Sequence, residues 1–174
     1  MTYYIGIDQG MTGAIAALDN DGTLEECWDI PSYPKGGGAK GNEYDLPAMM
    51  DIFQYEVLGP RGGAGNCYVA TEMVMFANRG DNAPGMWQQM MLARSQGLWE
   101  GILAANRVPH ELIRAQEWKK TFSLTAKGPA GKELSRQKAL QIWGGTEWFR
   151  NKGHHNRAEA ALIAEHIRRV RGRS

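Results

Sequence analysis

The sequence predicts an α/β domain built on a mixed sheet, and three observations favour this class. Three runs of strand-forming residues open the chain, and the Asp21-Gly22 step between the second and third is typical of a hairpin. A later apolar run at 67–73 is short enough for a buried strand. Helical and strand-like segments then alternate, which is the order expected of an α/β domain.

The predicted elements follow from apolar spacing and from turn residues. Strands are predicted at 3–7, 14–18, 24–30, 67–73 and 110–113, and the first three follow closely enough to pair antiparallel. Helices are predicted at 45–57, 86–106, 115–122, 132–143 and 156–169. In the first helix Asp45 is the expected N-cap and Pro47 lies in the first turn.

Glycine and proline mark the connections between these elements. The segment 31–44 contains two Pro and four Gly and is predicted to be a flexible loop, as are 59–65 and 125–131. The helix at 86–106 is rich in small and soft side chains, which allow close packing against a sheet or a second subunit.

The length and the charge of the chain limit the classes of protein to which it can belong. A chain of 174 residues suits a single domain spanning 1–174. The net charge of +1 hides an asymmetry: residues 1–113 carry 6 basic and 14 acidic side chains, whereas residues 114–174 carry 14 basic and 5 acidic. Such an asymmetry indicates a nucleic acid or another polyanion as partner.

Cysteine usage and the N-terminus predict a soluble, cytoplasmic protein. Cys27 and Cys67 have no metal-binding or redox spacing, so we expect reduced, buried thiols. The first residues lack the basic region of a signal peptide, and no apolar run is long enough for a membrane helix.

Two acidic residues stand at the ends of predicted strands. Asp8 ends the first strand before a glycine-containing turn, and Glu72 ends the fourth in Val-Ala-Thr-Glu. An acid in apolar surroundings is costly to bury unless it is paired or binds a metal. The two acids are therefore candidates for one shared site, with a structural salt bridge as the alternative for either alone.

The last predicted helix adds a third acid with two polar neighbours. Glu159 is four residues after His155 and three after Asn156, so either pair lies on one helix face. Asp8, Glu72 and Glu159 together would form an oxygen-rich site that suits Mg²⁺ or Mn²⁺. Two such ions activate water and stabilise the leaving oxygen in phosphodiester hydrolysis.

Taken in their order along the chain, the acidic residues and the segments around them resemble those of the RuvC-type Holliday junction resolvases, particularly the bacteriophage forms. The resemblance is carried by Gly-Ile-Asp8-Gln-Gly, by Val-Ala-Thr-Glu72 before a loop and long helix, and by the acid-bearing C-terminal helix. The segments 116–122 and 131–136 strengthen it, so that it covers nearly the whole chain. It implies an RNase H-like fold with a mixed five-stranded sheet flanked by helices, a homodimer, two divalent ions and symmetric nicking of four-way DNA junctions.

The resemblance also implies roles for the site residues. Asp8 and Glu72 match the first two metal-binding carboxylates of the family, and Glu159 matches the last. The family has another ligand about one helical turn earlier, for which the candidates are His155 and Asn156. We select His155, since imidazole binds metals and transfers protons near neutral pH, whereas Asn156 supplies a neutral oxygen.

Basic residues near the predicted site are candidate phosphate contacts. Lys132 matches a lysine that acts near the metals in the resembled family and is included among the catalytic residues. The other candidates in the basic segment are Lys119, Lys120, Arg136 and Lys138. For each of them a solvated helix face is the alternative. The arginines of 168–173 either bind DNA or keep the terminus soluble.

The segment after Glu72 is a candidate for contact with unstacked bases. In the resembled family an apolar side chain of this loop enters the junction, and Met75 occupies that place with Phe76 beside it. Arg79 follows as a further candidate DNA contact. A core contact that closes the strand is the alternative for Met75 and Phe76. Trp118, Trp143 and Trp148 are predicted to pack in the core or anchor loops.

Two other functions compete with the nuclease. The segment 7–13 resembles the phosphate loop of sugar-kinase-like ATPases, although their two-domain architecture needs a far longer chain. The second alternative is a protein that binds branched DNA without cutting it, for which Asn156 in place of an acid is the main argument.

Overall fold

The computed structural model describes residues 1–36, 41–75, 85–126, 128–145 and 147–172. The strands are β1 (Tyr3–Asp8), β2 (Ala14–Leu18), β3 (Leu24–Asp29), β4 (Ser32–Pro34), β5 (Asn42–Tyr44), β6 (Cys67–Glu72) and β7 (His110–Ile113). Five of them form the main sheet in the order β3-β2-β1-β6-β7, and β4 and β5 form a separate pair.

The main sheet is mixed, as predicted. β1 pairs antiparallel with β2, and β2 pairs antiparallel with β3. β1 also pairs in parallel with β6, and β6 with β7. This order places β1 at the centre, where Ile5 and Ile7 are completely buried.

The helices flank this sheet, and their bounds lie close to the predicted ones. They are α1 (Leu46–Asp51, continued by a π-helical segment Ile52–Leu58), α2 (Met86–Ala105), α3 (Ala115–Thr121), α4 (Gly128–Trp143) and α5 (His155–Arg171). The Asp45 carboxylate accepts a hydrogen bond of 3.1 Å from the Ala48 nitrogen, which confirms the predicted N-cap. Within the described ranges no helix is long and apolar enough to cross a membrane.

Two predicted loops contain regular structure. Within the predicted loop 31–44, the described residues 32–34 and 42–44 pair antiparallel, with Ser32 of β4 opposite Tyr44 of β5. The sequence does not reveal these strands, because each has only three residues and shows no apolar alternation. The predicted loop 125–131 is also too long, since α4 begins at Gly128. Pro129 fits there because its fixed φ suits the first helical turn.

The core lies on both faces of the sheet. On one face, β1 and β2 side chains pack against Phe53 and, from α2, Trp99 and Leu103. On the other, α5 contributes Leu162 and Ile163. Cys27 and Cys67 are buried and free, as expected.

A close approach between β1 and α5 fixes the helix over the centre of the sheet. A Cβ atom on Gly6 would overlap the Ala160 carbonyl oxygen and lie 2.5 Å from the Ala164 nitrogen. The position therefore requires glycine, and small residues on α5 allow the helix to come near enough to place its polar side chains at the end of β1.

We expect Gly6→Ala to lower the free energy of unfolding by about 1–3 kcal/mol, because the added methyl forces α5 away from the sheet. Chemical denaturation measures this difference. The matched control is Gly101→Ala in α2, where a Cβ atom meets nothing within 4 Å and alanine favours the helix. Equal stability of Gly6→Ala and the native chain would contradict the close packing described here.

Candidate active site

Two carboxylates lie at the carboxyl ends of neighbouring parallel strands. Ile7 of β1 pairs with Thr71 of β6, so the next residues, Asp8 and Glu72, stand side by side at one edge of the sheet. The Gln9 side chain joins the two strand ends, since its Nε2 donates to the Glu72 carbonyl oxygen at 2.6 Å. The geometry brings together the two acids that the sequence singled out.

The charge of Glu159, on α5, acts on both of these acids. Burial and, after it, the charges of Glu159 and Glu72 together raise the pKa of Asp8 to about 7, while the charge of Lys132 acts in the opposite direction. Burial also raises the pKa of Glu72, to which Glu159 adds. The charges of the glutamates thus act on Asp8, and that of Glu159 acts on Glu72 as well.

Two neutral donors hold the glutamates. The Trp118 indole Nε1 donates to Glu72 Oε2 at 2.9 Å, and the Ser135 hydroxyl donates to Glu159 Oε1 at 3.0 Å. Trp118 comes from α3 and Ser135 from α4, so the helices beside the sheet orient the acids. Neither contact is predictable from the sequence, because no regular spacing relates these positions.

His155 and Lys132 form a pair at the edge of the site. The Lys132 Nζ lies 3.0 Å from His155 Nε2, and His155 Nδ1 lies 3.2 Å from the Lys152 carbonyl oxygen. Nδ1 therefore carries the hydrogen and donates it to the carbonyl, which leaves Nε2 as an acceptor for the ammonium group. Lys132 also lies near the acids, since it lines a groove with Glu159 and its charge lowers the pKa of Asp8.

The Asn156 side chain is bound to the turn that follows Asp8. Its Nδ2 donates to the Thr12 carbonyl oxygen and to the Thr12 hydroxyl, the latter at 3.2 Å. Thr12 lies in the turn between Asp8 and β2, so Asn156 anchors the chain that follows Asp8. The two residues considered for a fourth ligand thus have different partners: a lysine for His155 and a turn for Asn156.

The donor set suits a hard divalent cation. Carboxylate oxygens are the ligands that Mg²⁺ and Mn²⁺ prefer, and repulsion among the three acids is relieved by a cation between them. Across the described ranges no three His, Cys, Asp or Glu side chains form a ready-made metal cage. The three acids therefore act on one another without being grouped as a bound cation would group them.

The raised pKa of Asp8 predicts how the cation-free protein responds to pH. Between the ordinary value of 3.8 and about 7, the folded chain holds a proton that the unfolded chain releases. Stability therefore falls as the pH rises through this range. The fall contributed by Asp8 is at most ~4 kcal/mol.

Denaturation in EDTA at pH 4 and pH 8 measures this effect against Asp8→Asn, which lacks the titrating group. We expect the variant to be the more stable protein at pH 8 and to lose that advantage near pH 4. A stability difference that does not change with pH would contradict the burial of an ionisable Asp8.

A groove of about 620 Å³ opens beside the acids, between α3 and α4. Three lysines, Lys119, Lys120 and Lys132, line this groove, and Glu159 is part of its wall, so the groove reaches one of the three carboxylates. Three of the predicted phosphate contacts thus share one channel.

Other predicted DNA contacts have different surroundings. Arg136 is bound to both Glu133 carboxylate oxygens and to the Phe149 carbonyl. Lys138 contacts Gln141. Met75 is 57% exposed just beyond β6, whereas Phe76 and Arg79 lie outside the described residues.

The arginines at the end of α5 are engaged in ion pairs. Arg168 and Arg169 both bind Glu165, which is itself buried. Arg171 binds Glu111 at 3.1 Å and also contacts the Tyr68 hydroxyl. The Arg171 contacts fasten α5 to β6 and β7, whereas those of Arg168 and Arg169 lie within the helix, so part of the basic excess has a structural use.

The sheet order, the flanking helices and the acids at the strand ends define an RNase H-like fold. No family model and no curated protein matches the chain. Among solved structures, it is similar to Thermus thermophilus RuvC, with a TM-score of 0.60 and 16% identity over 97% of this chain and 96% of that one. T. thermophilus RuvC in complex with a Holliday junction substrate gives a TM-score of 0.59 and 15% identity over 98% and 97% of the two chains. The predicted fold is confirmed over nearly the full length.

Proposed function

We propose that this protein is a structure-selective endonuclease that resolves four-way DNA junctions by metal-dependent phosphodiester hydrolysis with paired, symmetric nicks. The observation that carries the proposal is the cluster of Asp8, Glu72 and Glu159 beside a lysine-lined groove. The fold supports it, since RuvC, which has the same fold, has been solved with a Holliday junction substrate.

In this function the carboxylates bind two ions, Mg²⁺ or Mn²⁺. Asp8 is central, because the charges of both glutamates act on it. Glu72 and Glu159 supply further oxygens. His155 Nε2 is the proposed fourth ligand, and the amide oxygen of Asn156 is the alternative. When bound, the ions supply an activated water and charge stabilisation for the leaving oxygen.

Lys132 and His155 act together on charge and protons. Lys132 lies 3.0 Å from His155 Nε2 and its charge acts on Asp8, so it stands between the histidine and the acids. A phosphate in the groove draws the ammonium group toward itself, which frees His155 Nε2 to accept a proton or bind an ion. Nδ1 stays fixed by the Lys152 carbonyl.

The groove holds the phosphates of the cut strand. Lys119, Lys120 and Lys132 contact phosphate oxygens without reading sequence. Arg136, which is paired with Glu133 within α4, is a further proposed phosphate contact. Met75, with Phe76 and Arg79 after it, is the proposed contact with the open centre of the junction.

The proposed assembly is a homodimer through α2, because paired nicks need two sites related by symmetry. The first half of α2 exposes large apolar side chains: Trp87 is 64% exposed and Met90 is 57% exposed, with Met86 and Leu92 beside them. An apolar patch of this kind on a helix is typical of a protein interface.

We expect Trp87→Glu combined with Met90→Glu to convert the dimer into a monomer, since buried charges oppose association. Sedimentation velocity measures the change. Tyr55→Glu is the control, because Tyr55 is also well exposed, at 71%, but lies after α1. A native chain that sediments as a monomer at all concentrations would contradict the proposed assembly.

The function is tested by incubating end-labelled four-way junctions and linear duplexes with Mg²⁺ or Mn²⁺. We expect nicking of the junction only, with none in EDTA. Binding without nicking would favour the non-catalytic alternative, and equal cutting of the duplex would indicate a general nuclease. ATP turnover by the chain would favour the kinase-like alternative.

A further inference from the structure

We infer that Trp118 is a positioning residue of the metal site, whose indole N–H holds one oxygen of Glu72 and leaves the other for the cation. The hydrogen bond from Nε1 to Glu72 Oε2 is 2.9 Å long. The inference rests on the proposed function, because it gives Glu72 the role of a ligand.

The fold places this indole with little freedom. Glu72 pairs with Ile113 of β7, and α3 begins two residues later at Ala115, so its first turns pass over the end of β6. Trp118 is fully buried there, among side chains that include Phe122 and Leu162. Packing on every side fixes the ring, and the ring in turn fixes the carboxylate.

The hydrogen bond is not a general property of buried tryptophans in this chain. Trp99 is also fully buried, yet its ring nitrogen has no hydrogen-bond partner in the part of the chain that the structure describes. The same holds for the ring nitrogen of Trp28. A core position needs only the apolar ring, whereas Trp118 is oriented so that its one donor meets a candidate ligand.

An indole is chemically suited to this task. It is an uncharged donor with no acceptor atom, so it orients a carboxylate without competing for the ion. A lysine or arginine at the same place would form an ion pair and neutralise the ligand. Donors that orient ligating groups in this way alter metal affinity by about 10–100-fold when removed.

The second glutamate is held in a similar way. Ser135 donates to Glu159 Oε1 at 3.0 Å, so each glutamate has one oxygen bound by a neutral donor. In the described ranges the remaining oxygens, Glu72 Oε1 and Glu159 Oε2, accept no hydrogen bond. Trp118 and Ser135 therefore leave one oxygen of each glutamate for an ion.

The test uses two changes at Trp118 and measures the binding of Mn²⁺ alone by titration calorimetry. Trp118→Phe removes the donor with part of the ring. Replacement by β-(3-benzothienyl)alanine exchanges N–H for sulfur and keeps the shape, so the core stays filled. We expect both proteins to bind Mn²⁺ about 10-fold more weakly than the native chain.

Trp143→Phe is the matched control. Its Nε1 also donates a hydrogen bond of 2.9 Å, but to the Gly22 carbonyl oxygen, and its ring packs on Phe149. We expect native affinity for Mn²⁺ in this variant, although it loses the same kind of hydrogen bond. Cleavage by Trp118→Phe should return toward the native rate as Mn²⁺ is raised.

The outcomes separate this inference from the proposed function. Native affinity for Mn²⁺ in the benzothienyl protein would overturn the role of Trp118 and leave the nuclease proposal intact. A native chain that binds no Mn²⁺ would overturn both, because there would be no ion to position.

Discussion

We expect Asp8→Asn to lower junction cleavage by about 10³-fold or more, which corresponds to about 4 kcal/mol in the barrier. Asp8 lies in the field of both glutamates at the end of the central strand. The amide removes the central negative charge, so the site no longer holds divalent ions in place. Single-turnover cleavage of a labelled four-way junction, with enzyme in excess, measures the effect.

We expect Asp8→Asn to lose cleavage activity while it keeps the native fold. The amide is nearly isosteric with the carboxylate and cannot ionise, so it avoids the cost of burial and the repulsion by the glutamates that raise the pKa of Asp8, and the fold is retained at neutral pH. Junction binding should change little, because the lysines of the groove remain. Asp51→Asn, an exposed substitution in α1, is the control and should cut normally. Metal-dependent cleavage by Asp8→Asn at the native rate would contradict the assignment.

The second large effect concerns DNA affinity. We expect Lys119→Ala combined with Lys120→Ala to weaken junction binding by about 10-fold or more at moderate salt, because two groove cations no longer meet phosphates. The slope of log affinity against log salt should fall by about 2, one for each lost contact. Fluorescence anisotropy over a salt series measures both quantities.

The matched control removes two positive charges elsewhere. Arg169→Ala combined with Arg171→Ala changes the net charge equally, but these arginines already bind Glu165 and Glu111. We expect a small effect on affinity and an unchanged salt slope. Equal weakening by the two double variants would show that overall charge, and not the groove, attracts the DNA.

The strands and helices were predictable where short-range pattern determines them. β2 and β7 have the predicted bounds, and α2 differs by one residue at its end. The sequence predicts a loop over 31–44 because the strands at 32–34 and 42–44 have only three residues each, without apolar alternation, and their pairing depends on contacts between residues eight to twelve apart. The start of α4 was missed for a related reason, since the sequence alone does not show that Gly128-Pro129 continues into a helix.

The acids of the candidate site are predictable from the sequence, because a charge at the end of an apolar strand is costly to bury unless it is paired or binds a metal. Their supporting contacts are not. Trp118 has the features of a core residue in the sequence, and only the pairing of β6 with β7 brings it to Glu72. Asn156 has the spacing of a ligand, yet the turn at Thr12 binds its side chain.

The structure shows where the basic residues of the second part of the chain lie. Part of the basic excess after residue 113 faces the groove as lysines, and part forms ion pairs at the end of α5. Sequence cannot distinguish these two uses, since both produce the same count of charges.

The most direct test of the proposed function is to map the nicks in a four-way junction whose strands are labelled one at a time. With Mg²⁺ or Mn²⁺ present, we expect two nicks at symmetric positions in opposite strands, and none in the arms or in a linear duplex of the same sequence. Nicks scattered along the arms, or a junction that is bound but left uncut, would contradict it.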